Sequence, residues 1–229
     1  MCTDFTKEDE YLGAIQYMER EGFAVKNLET LFWACKHGYF HIVENLSAII
    51  PYDTDSEALC IAAENGHFCI VKFLVEKGAN VCARENYPLR WACEYGFLDI
   101  VMYLVEHGAD IHAEEDAAFR WACSAFHIPV IHYLLKVGAS IHAKNEEAFR
   151  DACEKGNFPL VKFLYFLGAD IHADDNYAIC YASGNGHIEI VEFLVECGAK
   201  VYARSYEPIS RAVSNNKGQV VRYLLTKCK

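Results

Sequence analysis

Residues 108–137 read GADIHAEEDAAFRWACSAFHIPVIHYLLKV, and residues 168–197 read GADIHADDNYAICYASGNGHIEIVEFLVEC. The two stretches share one plan. Gly78-Ala79, Gly108-Ala109, Gly138-Ala139, Gly168-Ala169 and Gly198-Ala199 recur at a fixed spacing of 30, as do Ala62, Ala92, Ala122, Ala152, Ala182 and Ala212. Ala34 stands 28 residues before Ala62, so the first unit is shorter. A period of this length marks a chain built from stacked supersecondary units. Five units are in register from Gly78 onward, and two less regular ones precede them.

Each unit predicts two short helices and an arm. In residues 88–95, Leu89, Ala92 and Cys93 share one helical face. In residues 98–106, Ile100, Val101, Leu104 and Val105 share another. Gly96 and Gly108 suit the left-handed residue that ends a helix. Pro129 and Pro159 fall in the first turn of the second helix, where a missing N–H costs nothing. The stretch Ala109–Asp116 is too short for a third helix and is expected to be an extended, hairpin-like arm. Helices of about ten residues do not hold alone in water. Stacking must therefore bury their apolar faces, and the prediction is an all-α solenoid of helix-turn-helix units.

The pattern resembles ankyrin repeats. The family's second-helix signature, G-H-x-x-I/V-V-x-x-L-V-x-x-G-A-D, is matched by Gly186-His187, Ile190-Val191, Leu194-Val195 and Gly198-Ala199, with Lys200 in place of the last residue. The T-P-L-H opening is met only in part, by Tyr87-Pro88-Leu89-Arg90. The period lacks three residues of the usual repeat. The shortened unit, with Ile-His-Ala in the arm, is similar to repeats in ankyrin proteins of giant DNA viruses such as mimivirus. The resemblance implies about seven ankyrin repeats over residues 23–229, the last acting as a C-terminal cap because Ser210, Arg211, Ser214, Asn215 and Asn216 replace apolar residues. Residues 1–22 are expected to form an N-terminal capping helix, a half repeat. It also implies a protein–protein interaction scaffold, engaging host factors in the host cytoplasm if the source is viral. An adaptor for host ubiquitin ligation and a homo-oligomeric scaffold are the alternatives.

The slot before the repeated alanine holds Trp33, Ile61, Trp91, Trp121, Asp151, Tyr181 and Arg211. All three tryptophans of the chain stand there. The slot before it holds Arg90, Arg120 and Arg150. In an ankyrin stack these positions face the concave side. Aromatic and arginine side chains dominate interface energetics, so the expected partner-binding residues are Trp33, Arg90, Trp91, Arg120, Trp121, Arg150, Tyr181 and Arg211. The competing expectation is structural: each arginine pairs with arm acids such as Glu114, Glu115, Asp116, Glu146 and Glu147, while the rings pack sideways.

Composition narrows the remaining chemistry. Lys and Arg number 21 against 32 Asp and Glu, a net charge of -11, which disfavours nonspecific binding to phosphate backbones. No apolar run reaches the 18 or so residues of a membrane helix, so no membrane association is expected. Met1-Cys2-Thr3-Asp4 opens no secretory signal. The eleven cysteines include no C-x-x-C pair and are expected to be reduced thiols, most of them buried, in a cytoplasmic setting. Cys35, Cys93, Cys123 and Cys153 share one slot, whereas a catalytic nucleophile would be unique. No phosphate loop, His-Glu-x-x-His or paired-carboxylate motif occurs, so neither an enzyme nor a cofactor is expected. His112, His142 and His172 repeat at 30, too far apart in a stack to share one metal ion, and are expected to bond neighbouring backbone. His67 and His187 are expected to tie each inter-helix turn to its neighbour.

Overall fold

The computed structural model describes residues 27–47 and 56–228, with residues 12, 13, 15, 16 and 20 before them. Those five are helical; the rest of the expected cap over residues 1–22 lies outside the described residues. From residue 27 onward fourteen helices follow in seven pairs, and no strand occurs among the described residues. The pairs are α1 (Leu28–His37) with α2 (Phe40–Ser47), α3 (Glu57–Glu64) with α4 (Phe68–Glu76), and α5 (Ala83–Glu94) with α6 (Leu98–Glu106). Then come α7 (Ala113–Ser124) with α8 (Ile128–Lys136), and α9 (Ala143–Lys155) with α10 (Phe158–Phe166). The last are α11 (Ala173–Asn185) with α12 (Ile188–Glu196), and α13 (Ala203–Ser214) with α14 (Gly218–Lys227).

The chain divides into two compact units, Met1–Trp121 and Ala122–Lys229. Within the first, α1 packs on α3 and α3 on α5, while α2 packs on α4 and α4 on α6. Within the second, α9 packs on α11 and α11 on α13, and α10 on α12 and α12 on α14. First helices thus form one layer and second helices another, the construction of a helical-repeat solenoid. The repeated alanine makes the close approach possible: Ala34, Ala62, Ala92, Ala122, Ala182 and Ala212 have no exposed surface. The second helices supply one half of the apolar core, with Ile100, Val101 and Leu104 in α6 and Ile190, Val191 and Leu194 in α12 buried.

The arms differ from the extended form expected. Each is a tight turn followed by three consecutive residues with left-handed backbone: Arg84–Asn86, Glu114–Asp116, Lys144–Glu146, Asp174–Asn176 and Arg204–Tyr206, with φ between 45° and 66°. Such a conformation costs an L-residue about 1–2 kcal/mol each, so local propensity does not choose it. Contacts hold it. The amide of each third residue donates to the carbonyl four back, as from Asn176 to His172 at 3.0 Å. Its polar side chain is buried at Asn86, Asp116, Glu146 and Asn176. Asn86 Oδ1 accepts the backbone N–H of Asp110, from the next repeat, at 2.7 Å. The histidine ladder belongs to the same device. His112 Nδ1 donates to Asp116 Oδ1 at 3.0 Å, His142 Nδ1 to Glu146, and His172 Nδ1 lies 2.8 Å from Asn176 Oδ1. These histidines were expected to bond backbone; they bond the side chain four residues on, because the left-handed turn folds it back beneath the imidazole.

The cysteine slot after the alanine is sealed, with Cys35, Cys93, Cys123 and Cys153 fully buried. Burial pushes the thiols of Cys93, Cys123 and Cys153 well above their ordinary range. Burial, with nearby Glu207, raises that of Cys180 to about 12. Among the described residues nine cysteines are free thiols, but Cys69 is disulfide-bonded, against expectation. It sits half-buried on a second helix, outside the sealed slot.

Candidate functional site

The eight residues singled out in the sequence are all half-buried. None is sealed in the core, and none stands free in solvent. The small alanine that follows the slot draws neighbouring first helices together, so large side chains there lie sideways on one another.

In the first unit, Trp33 packs against His37 at 5.0 Å and stacks on Tyr39 at 5.1 Å. Trp91 stacks on Tyr95 at 5.4 Å, tilts against Tyr87 at 5.5 Å, and meets Trp121 edge-on at 5.4 Å. The Arg90 guanidinium lies 5.3 Å from the centre of the Trp121 ring and 5.8 Å from that of Tyr87, within cation–π range. Tyr95 is 47% exposed, which carries the aromatic cluster outward. Sequence reasoning missed Tyr87 and Tyr95. Four residues before and after Trp91, they were legible as its helical neighbours.

In the second unit two stacked rings lie between two guanidinium groups. The Arg150 guanidinium lies 4.9 Å from the Tyr177 ring centre, Tyr177 and Tyr181 stack at 3.7 Å, and Arg211 lies 4.1 Å from the Tyr181 ring centre. Tyr177 also donates its hydroxyl to Glu154 Oε2 at 2.7 Å. Burial first, and that hydrogen bond second, push its phenol above the ordinary range. Arg211 Nε donates to Glu207 Oε1 at 2.6 Å.

The arginines do pair with the arms, but chiefly with backbone. Arg90 Nη2 donates to Arg84 O at 3.0 Å, Arg120 Nη2 to Glu114 O at 2.8 Å, and Arg150 Nη2 to Lys144 O at 3.3 Å. Each thus fastens the first residue of its own left-handed turn. Arg120 Nε donates to Glu115 O as well, at 3.1 Å. Arg150 adds one carboxylate of the following arm, Asp174, at 2.8 Å. Cys180 stands where a fourth arginine would. There Arg204, from the following repeat, supplies the guanidinium, donating to Asp174 O at 2.7 Å and Asp175 O at 3.1 Å.

Beside this surface lie the inter-helix turns. His67 Nε2 bonds Lys36 O, and His187 Nε2 bonds Glu154 O, each at 2.9 Å, so both histidines tie one repeat to the one before. Among the described residues no group of three His, Cys, Asp or Glu is placed to hold a metal ion. No helix among them is long and apolar enough to cross a membrane.

A family model described as ankyrin repeats in three copies matches residues 13–85, 31–115, 59–145 and 149–229. No curated protein matches the chain.

Proposed function

Because the chain belongs to the ankyrin-repeat family, whose repeats generally mediate protein–protein interaction, we propose that it is a non-enzymatic scaffold binding a partner protein on its aromatic and arginine face. The contacting residues are Trp33, Arg90, Trp91, Arg120, Trp121, Arg150, Tyr181 and Arg211, on the concave side of the stack. The observation that carries this reading is that the rings and guanidinium groups are half-buried and already ordered by one another. Ordering a long side chain at an interface costs about 0.5–1.5 kcal/mol. Here the fold has met much of that cost, so burial of the exposed halves goes to affinity. The setting that fits the 30-residue period and its Ile-His-Ala arms is a giant-virus protein meeting host factors in the cytoplasm.

The test is affinity capture from cell lysate with the double variant Trp91→Ala/Trp121→Ala as control. The variant keeps its helical circular dichroism, since neither ring is sealed, and loses the captured protein. Equal capture by both forms would remove the face from consideration. Collapse of the helical signal would make the rings part of the core.

A further inference from the structure

The second helices face outward through slots that repeat every 30 residues. One slot holds Glu76, Glu106, Lys136, Glu196 and Thr226 in α4, α6, α8, α12 and α14, all of them exposed. In α10 the same slot holds Phe166, which at 77% is the most exposed large hydrophobic side chain among the described residues. The stack does not call for a ring there, since a charged side chain serves in α4, α6, α8 and α12. The neighbouring slot adds Leu167, 46% exposed, and Val137 at the end of α8, 36% exposed. A cluster of exposed apolar side chains on an otherwise polar face marks an interaction site.

Opposite charges flank this patch. α12, which meets α10 through Tyr165 edge-on to Phe193 at 5.2 Å, exposes Glu189, Glu192 and Glu196 and carries no cation. On the other side, α8 exposes His132 and Lys136 and carries no acid. Its repeat is joined to that of α10 by the hydrogen bond from Lys155 Nζ to Ser124 Oγ, 2.8 Å. All three helices belong to the second compact unit. Lys136, Phe166 and Glu196 share one height along their helices, and His132, Lys162 and Glu192 share another.

We propose that this face pairs with the same face of a second copy of the chain, about a twofold axis running along α10. That rotation lays Phe166 on Phe166 and Leu167 on Leu167. It also brings α8 of each copy over α12 of the other with height preserved, so Lys136 meets Glu196 and His132 meets Glu192, twice over. A face positive on one side and negative on the other is self-complementary only in this arrangement, and such charges set orientation. Lys162 falls near the axis, but its amine leans back over the Phe158 ring, 4.5 Å from the centre, away from the Phe166 contact. An isologous contact closes on itself, so assembly stops at the dimer. The inference is independent of the aromatic and arginine face.

Sedimentation equilibrium of the full chain across a concentration series tests it. The weight-average mass rises with concentration and levels off at about twice that of one chain, as a closed pair requires. Phe166→Ser, Lys136→Glu and Glu196→Lys each raise the dissociation constant at least about tenfold with unchanged circular dichroism and melting. The double variant Lys136→Glu/Glu196→Lys pairs again, and so does an equimolar mixture of the two single charge variants, because each then meets its opposite. Trp91→Ala/Trp121→Ala pairs like the unaltered chain, which separates this surface from the partner-binding face. A single-chain mass at every concentration overturns the proposal, as does a dimer that Phe166→Ser leaves intact or a mixture that fails to pair. A monomer that binds phosphatidylserine vesicles, and loses that binding in Phe166→Ser, also overturns it and assigns the patch to a lipid surface.

Discussion

The imidazole of His187 rests on the backbone of Gly156, 31 residues earlier: a Cβ added at Gly156 would lie 2.5 Å from His187 Cε1. Gly156 also holds φ +81°, a conformation that ends α9. His67 stands in the same relation to Gly38, whose added Cβ would lie 2.7 Å from the ring. The repeat between shows the rule by its exception. Phe126 takes the glycine's place at φ +62°, and the next repeat carries Asn157 where His187 would be. Asn157 turns its side chain to its own helix, accepting the Leu160 N–H at 3.2 Å.

Gly156→Ala therefore carries two costs, a collision and an unfavourable φ, and is expected to lose about 2–3 kcal/mol of stability. In a His187→Ala background only the φ cost of about 1 kcal/mol remains. Urea denaturation of the four proteins in the cycle measures the difference. An equal loss in both backgrounds would show that the imidazole is not what excludes the methyl group.

The left-handed turns predict a reversal of sign. Glu85 and Glu115 are exposed at the centre of two of them, with φ 58° and 54°. Glycine at either position removes the left-handed penalty of about 1–2 kcal/mol and adds about 1 kcal/mol of chain entropy. Glu85→Gly and Glu115→Gly are thus expected to hold or raise the melting temperature. Glu192→Gly, on the exposed side of α12, lowers stability by about 1 kcal/mol. Calorimetry on the three variants checks the contrast; a comparable drop in all three would deny the strain.

Arg204 reaches across to a turn that lacks its own arginine. Arg204→Ala leaves the Asp174 and Asp175 carbonyls without their donors and is expected to cost about 1–2 kcal/mol. Adding Cys180→Arg restores the arrangement found at Arg90, Arg120 and Arg150, and recovers part of that loss. If Cys180→Arg worsens the single variant, the slot at 180 does not accept a guanidinium.

The buried thiols fix the alkaline limit. Their pKa values are raised in the folded chain, so the folded state keeps its protons while the unfolded state releases them above about 9. Stability contributed this way is intact below that pH and is lost as pH rises. Each of Cys93, Cys123 and Cys153 removes about 1.4 kcal/mol per pH unit. Replacing all three by alanine flattens the decline of the urea midpoint between pH 8 and 10. A decline of unchanged slope would place its origin elsewhere.

The repeat, the helix pairs and the alanine seam were legible because each is written as a period. Ala92 recurs with the small volume that close packing demands, and Gly-Ala pairs mark each helix end. The arm was not legible. The two glutamates of Glu114-Glu115-Asp116 give no sign of positive φ, and the Arg120 and His112 hydrogen bonds that fasten the turn leave no mark in the local pattern. The arginines were read as either ligand-facing or paired with acids, and their true partners, main-chain carbonyls, leave no trace in side-chain pattern. The aromatic slot was found by position, but its sideways stacking depends on neighbours 30 residues away.

Asn86 looks forward in the chain for its hydrogen-bond donor, as does Ser56, whose Oγ accepts the Asn80 N–H at 2.8 Å. At the same arm position the pair α13 and α14 has Tyr206, 56% exposed. The modules therefore cannot be shuffled freely. A permuted array that removed the unit after Asn86 would leave its buried Oδ1 without the Asp110 N–H. The order of the bricks is written into their mortar.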